Sequence, residues 1–250
     1  MNKVNVHRFD PMVAKNHNIV IIGKRATGKT ILVQDLLTKF QMEKNLGIIT
    51  PYINEYDGME AYGKIYGVYE NDVVDNFINQ NVDVIVFDDC LYDTKWSKHK
   101  SLENCFMSKK INVFLSIGYP LGLHNSFKSN IGFTFIFQDS YEPNKKRIFK
   151  QYCAHLFETF EQFLKVFDNI TQQKYVCFVI KNKRLENEKI EDCIFWYQAD
   201  LPWRRMVNEK RYWLDKIRQE LMEKTWHPSR IQHCLDYKEF QDIFQEKSDQ

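Results

Sequence analysis

Residues 23–30, Gly-Lys-Arg-Ala-Thr-Gly-Lys-Thr, constrain this chain more than any other stretch. They match G-x-x-x-x-G-K-[ST] in full. They lie between a continuous apolar run, Ile19-Val20-Ile21-Ile22, and a segment with Leu32, Val33, Leu36, Leu37 and Phe40 at helical spacing, read as a helix over 29–43. A buried strand feeding a helix through such a loop is the context that makes the match a phosphate-binding loop. The loop presents unpaired N–H groups, and the helix N-terminus carries about half a positive charge. Gly23 and Gly28 permit backbone angles and a close approach that a Cβ would block. Lys29 sets a compact charge on the β- and γ-phosphates of ATP, and Thr30 offers a hydroxyl to Mg²⁺. The expected nucleotide-binding residues are therefore Gly23, Lys24, Arg25, Ala26, Thr27, Gly28, Lys29 and Thr30. The side chains of Lys24 and Arg25, at variable positions, are expected to face solvent or a neighbouring subunit.

Further apolar runs follow the first. Gly47 to Thr50, stopped by Pro51, reads as a second strand, Val82 to Phe87 as a third, Ile111 to Ser116 as a fourth and Phe133 to Phe137 as a fifth. Residues 95–108 and 144–167 read as helices; in the latter, Phe157, Phe160, Phe163 and Phe167 form a core stripe. Two late strands, Tyr175 to Ile180 and Cys193 to Tyr197, are close enough for an antiparallel hairpin. Continuous rather than alternating apolar strands, interleaved with amphipathic helices, predict an α/β fold: a three-layer P-loop NTPase domain with a mainly parallel central sheet. The expected division is a polar lead-in over 1–17, the ATPase domain over 18–202, and a short helical C-terminal extension over 203–250, where charged and aromatic residues take over.

The third strand ends in Asp88-Asp89. A carboxylate at a strand end beside the phosphate loop is where magnesium is held, so Asp88 is assigned to the metal together with Thr30. Asp89 then orients or deprotonates the attacking water. No D-x-x-G follows, and Asn182-Lys183-Arg184-Leu185 lacks the carboxylate of a guanine-reading N-K-x-D, which argues against a GTPase. No arginine-rich lid of a small-molecule kinase is visible. A double acid, with the strand carrying Ile111 to Ser116 inserted between the first and third strands, suits the ATPases that drive motors.

At this point the chain resembles the virion DNA-packaging ATPases of large double-stranded DNA viruses, the poxvirus-type packaging ATPase of the FtsK/HerA superfamily. The resemblance spans residues 18 to about 200. It is carried by Ile21 to Thr30, by Val86-Phe87-Asp88-Asp89-Cys90-Leu91-Tyr92-Asp93, by Phe106-Met107, by Gly118-Tyr119-Pro120-Leu121-Gly122-Leu123, by Asn130 to Phe137 and by Phe195-Trp196-Tyr197-Gln198-Ala199. The acidic pair with its sequel and the Tyr-Pro-Leu-Gly turn are its specific parts. The resemblance implies ATP hydrolysis with Lys29, Asp89 and a γ-phosphate sensor as catalytic residues. It also implies a homo-oligomeric ring acting on double-stranded DNA, a capsid or portal component as partner, and residence in the virion or at a viral assembly site. Two positions depart from the pattern. Gly118 stands where the family places a polar sensor, which leaves Ser116 as the nearest substitute. Lys109 stands near where it places an arginine, and lysine lacks the planar fork of a finger; Arg147 is the alternative.

Composition bounds the rest. With 35 Lys+Arg against 33 Asp+Glu, the formal charge is only +2, so contact with DNA has to come from local patches. Candidates are Lys95 to Lys100, Lys145 to Arg147, Lys181 to Arg184, and Arg204-Arg205. The six cysteines show no metal-ligand spacing and are expected to be buried thiols in a reducing compartment. No signal peptide and no membrane span is expected, hence a soluble, intracellular protein. The reading is a DNA-packaging ATPase. The alternatives are a P-loop kinase of a small molecule, or an ATP-binding assembly factor with weak catalysis.

Overall fold

The computed structural model describes residues 6–40, 45–59, 62–91, 100–120, 123, 125–183 and 188–200. In chain order the elements are β1 (His7–Arg8), β2 (Asn18–Ile22), α1 (Lys29–Lys39), β3 (Leu46–Ile49), β4 (Gly63–Tyr66), α2 (Asn71–Asn79), β5 (Val84–Asp88), α3 (Lys100–Met107), β6 (Asn112–Ile117), α4 (Asn125–Lys128), β7 (Ile131–Phe137), α5 (Glu142–Ile148), α6 (Phe160–Thr171), β8 (Val176–Lys181) and β9 (Ile194–Gln198).

The strands form one sheet in the order β1-β9-β8-β7-β2-β6-β5-β3-β4. From β7 to β4 every pairing is parallel, while β8 runs antiparallel to both β7 and β9. The expected insertion holds: β6 lies between β2 and β5. The two late strands extend the sheet as the hairpin reading anticipated.

Strands buried on both faces explain the unbroken apolar runs: β2, β5 and β7 are buried along their whole length. Side chains alternate between faces. Val20, Ile22, Phe87 and Leu115 join Phe77 of α2, Leu102 and Phe106 of α3, and Phe163 and Phe167 of α6 in one core. The other face carries α1, whose flanking Phe40 meets Phe114 of β6 edge-on, ring centroids 6.0 Å apart. The outcome is the three-layer α/β architecture. In the α6 layer Phe163 stacks on Phe167 at 5.1 Å, and both turn an edge to Phe178.

Three elements differ from expectation. The lead-in contributes a strand, since His7–Arg8 pairs in parallel with β9. The strand β4, on the sheet's far edge, has only partly buried and exposed residues and therefore no apolar run to announce it. The continuous helix expected over 144–167 is two helices. A π-helical stretch, Phe149–Cys153, ends the first, and Thr159 starts the second by accepting the Gln162 N–H at 3.2 Å. The T-x-x-Q spacing of Thr159 and Gln162 is a helix-start signature that the phenylalanine periodicity masks. The readings placed on Lys95 to Lys98 and on residues 203–250 lie outside the described residues.

Asn18 fastens the entry to the phosphate loop. At 8% exposure, its amide donates to Phe106 O and Asn130 O, both at 3.0 Å, and accepts the Val113 N–H at 2.9 Å. The lost partners at Phe106 O and Val113 N–H leave buried backbone groups unpaired, at about 1–3 kcal/mol each before relaxation. Asn18→Ala should therefore lower unfolding stability by about 2–4 kcal/mol in urea titration; an unchanged midpoint would rule out this anchoring role.

Candidate nucleotide-binding site

Where β2 ends, the Gly23 N–H donates to Ile117 O of β6 at 3.1 Å. A Cβ on Gly23 would lie 2.5 Å from Thr27 Oγ1 and 2.9 Å from Phe137 Cβ, so only glycine passes here. Gly28 caps α1 with a φ of 105°, left-handed backbone that a side chain disfavours. The loop closes on itself: Thr27 Oγ1 donates to Lys24 O at 2.8 Å. Lys29 is 6% exposed; its ammonium donates to Lys24 O at 3.2 Å and stands 3.9 Å from Asp89 Oδ2. The loop thus surrounds its own lysine, an anion-seeking concavity at a helix N-terminus.

The two acids occupy different environments. Asp88 is fully buried at the end of β5. Its Oδ2 accepts the Thr30 hydroxyl at 2.8 Å and the Tyr56 hydroxyl at 2.9 Å. Its Oδ1 and the Ser116 Oγ, both buried, form no hydrogen bond. Burial raises the Asp88 carboxyl above its usual range, and the fields of Ser116, Thr30, Tyr56 and Lys29 offset that only in part.

Asp89 turns away from this interior. Its φ of 52° is left-handed, tolerated better by Asp than by bulkier residues, and its N–H donates to Ser116 O at 3.1 Å. The side chain is 27% exposed and directed toward Lys29. The turn separates the acids, one held inward against Thr30, the other presented at the loop's open side.

Ser116 pairs in register with both Asp88 and Ile21. At 1% exposure it is buried beside Asp88, the strand position to which the sensor role was assigned. Two residues on, a Cβ at Gly118 would approach Asp89 Oδ1 at 3.5 Å. Position 118 therefore borders the second acid but brings it no side chain.

Tyr56 escaped the sequence reading. It ends a short 3-10 turn, Ile53–Tyr56, after β3, and Gln34 of α1 holds that turn by donating to Glu55 O at 2.6 Å. Burial, then the Asp88 charge, raise the Tyr56 phenol well above its usual value, so its hydroxyl stays a donor. No spacing announces this contact, because it depends on how the β3 loop folds back. Asp139 was also missed; it stands two residues past the apolar strand β7, with Gln138 between. Lys24, expected to face solvent or a neighbour, forms an ion pair with Asp139 at 2.8 Å. Arg25 lies 6.0 Å from the centre of the Tyr52 ring.

Of the basic patches, Lys145 pairs with Asp168 at 2.5 Å, Lys146 with Glu142 at 2.7 Å, and Lys181 with Glu188. Lys109 and Arg147 are exposed. Residues 92–99, 184–187 and 201–250 lie outside the described residues. Cys90, Cys105, Cys153, Cys177 and Cys193 are buried; burial pushes the Cys105 thiol up to about 12.

No family model matches the chain. It is 26% identical over 225 residues to the uncharacterized protein L437 of Acanthamoeba polyphaga mimivirus, covering 79% of this chain and 78% of that one. It is 27% identical over 201 residues to the uncharacterized protein 088R of Invertebrate iridescent virus 3, covering 72% and 75%. Among solved structures it is similar to the genome packaging NTPase B204 of Sulfolobus turreted icosahedral virus 2 in complex with sulfate. The TM-score is 0.53 at 13% identity, over 75% of this chain and 98% of that one. The same protein in complex with ATP-gammaS gives 0.53 at 12% identity, over 77% and 100%. The pCW3 conjugation coupling protein TcpA with ATPgS gives 0.50 at 10% identity, over 75% and 61%. The fold is thus that of the P-loop ATPases.

Proposed function

We propose that this chain is an ATP-hydrolysing motor that moves viral double-stranded DNA into a capsid, acting as a homo-oligomeric ring at the virion or its assembly site. The observation that carries the reading is the convergence of Lys29, Thr30, Asp88 and Asp89 at the mouth of one phosphate loop. The likeness in fold to a genome packaging NTPase and the viral relatives support the DNA substrate. Among the described residues, no helix is long and apolar enough to cross a membrane.

The chain's own groups divide the chemistry. Backbone N–H groups of residues 23–30 cradle the phosphates, and Lys29 exchanges its contact with Lys24 O for phosphate oxygens. Asp89, at the open side, takes a proton from or orients the attacking water. Tyr56 and Thr30 hold Asp88 in place. Thr30 and Asp88 are hard oxygen donors and fit Mg²⁺, which relies on few protein ligands plus phosphate. Asp88, already buried with one oxygen unpaired, suits a cation. When bound, the ion supplies neutralisation of charge on the leaving phosphates.

Gly118 favours a second reading, an assembly factor that binds ATP and turns it over slowly, since no side chain there reaches Asp89 or the nucleotide. ATPase rate measured with and without duplex DNA, across protein concentration, separates the two. The motor shows DNA-stimulated turnover that rises cooperatively with protein concentration and weakens with salt. Tight ATP binding with negligible turnover under every condition selects the assembly factor, and turnover that requires a nucleoside acceptor overturns both.

Two substitution experiments test the assignments. Lys29→Ala should abolish ATP binding by calorimetry, whereas Asp89→Asn should retain it and lose roughly 100-fold or more in turnover; normal turnover in Asp89→Asn would remove it from the mechanism. Asp88→Asn should stabilise the nucleotide-free protein while inactivating it. A buried acid with a raised pKa is destabilising wherever it is ionised, and that cost grows as pH rises through the folded pKa. An amide keeps one oxygen for Thr30 and Tyr56 and turns its NH₂ toward the unpaired Ser116 Oγ. A gain of about 1 kcal/mol raises the melting temperature by about 2–4 °C in a chain of this size, absent at acid pH; a lower melting temperature at neutral pH would refute it.

A further inference from the structure

The two sides of β2 are not equivalent. On one side lie β6 and β5 with Ser116, Asp88 and Asp89 at their ends. On the other lie β7 and the antiparallel β8. A triphosphate whose terminal phosphate faces Lys29 and the acids has its sugar and base at the opposite end of the phosphate chain. That end leaves the loop toward β7 and β8.

Tyr175 stands there. It immediately precedes β8, and because β8 runs against β7, its first residues lie beside the last of β7: Phe137 pairs with Cys177. This puts Tyr175 at the same end of the sheet as the phosphate loop. Its ring carbon Cδ1 is 3.2 Å from where a Cβ on Gly28 would be, so the ring lies against the loop at the start of α1. The residue is 44% exposed, so its ring is accessible from solvent. Its φ of 69° is left-handed, a conformation unfavourable for an aromatic residue and kept only where something fixes it. The Lys174 ammonium sits 5.0 Å from the ring centroid, the kind of contact a stacked base would displace.

We propose that Tyr175 is the nucleobase platform of this site, its ring stacking on the base of the bound nucleoside triphosphate while Lys174 yields that face. This rests on the reading that residues 23–30 bind a nucleotide. Stacking of a base on an aromatic ring is largely indifferent to base identity. The platform therefore adds affinity for nucleotides over bare polyphosphate without selecting adenine.

The test uses the full-length chain with Mg²⁺ and titrates ATP and inorganic tripolyphosphate into wild type, Tyr175→Ala and Tyr175→Trp, with thermal melts alongside. Tyr175→Ala should weaken ATP roughly ten-fold or more while leaving tripolyphosphate affinity unchanged, and Tyr175→Trp should keep ATP near wild type. Equal ATP affinity in wild type and Tyr175→Ala overturns the platform. So does an equal loss for ATP and tripolyphosphate, which marks Tyr175 as packing for the loop. Failure of the nucleotide reading itself looks different: wild type binds neither ligand, or Lys29→Ala binds both as well as wild type.

Discussion

One hydrogen bond organises the site: Thr30 Oγ1 to Asp88 Oδ2 at 2.8 Å. Its two ends come from strands that are not neighbours. The loop leaves β2 and the acid closes β5, with β6 between them. The bond therefore passes over β6, at Ser116, which is in register with Ile21 on one side and Asp88 on the other. Sequence singles out Ser116 as a polar residue near the phosphate. The structure buries it in register with Asp88, its hydroxyl without a hydrogen-bond partner.

That bond fixes only the N-terminal end of α1. The opposite end has a polar cluster of its own. Tyr197 of β9 donates to Asp35 Oδ2 at 2.5 Å, and Lys39 donates to the Tyr197 oxygen at 2.8 Å and stands 3.3 Å from Asp35. Lys39 also pairs with Asp200, which Arg8 meets at 3.0 Å. Burial, then the neighbouring Asp35, raise the Tyr197 phenol, so it too remains a donor. A helix held at both ends by satisfied polar contacts keeps its N-terminal N–H groups aimed in one direction, the preorganisation that anion binding requires.

Legibility in the sequence followed burial. Strands enclosed on both faces, such as Ile19 to Ile22 and Phe133 to Phe137, carry unbroken apolar runs and could be read directly. The strand Gly63–Tyr66 at the sheet's edge could not, because a half-exposed strand of four residues has nothing to distinguish it from a loop. His7 and Arg8 are exposed, and the pair gains its strand character from β9 alone. The site divides in the same way. Lys29, Thr30, Asp88 and Asp89 sit at fixed offsets from strand and helix ends, so local pattern finds them. Tyr56 reaches Asp88, and Asp139 and Tyr175 reach the loop, through turns whose path depends on tertiary packing, and no periodicity encodes that.

The unequal treatment of the two acids follows from the backbone. Had β5 continued as regular strand through residue 89, alternation would have sent Asp89 to the opposite face of the sheet from Asp88. The left-handed turn at Asp89 instead keeps its carboxylate on the loop side, 3.9 Å from Lys29. One acid is thus desolvated and awaits a positive charge, while the other stays in contact with water and with the lysine that a phosphate would engage. Desolvation of Asp88 is a cost to the nucleotide-free protein, and a bound cation would remove it. On the proposed assignment of Asp88 to a metal, the loaded site is more stable than the empty one, a difference through which the proposed motor would change state as nucleotide arrives and leaves.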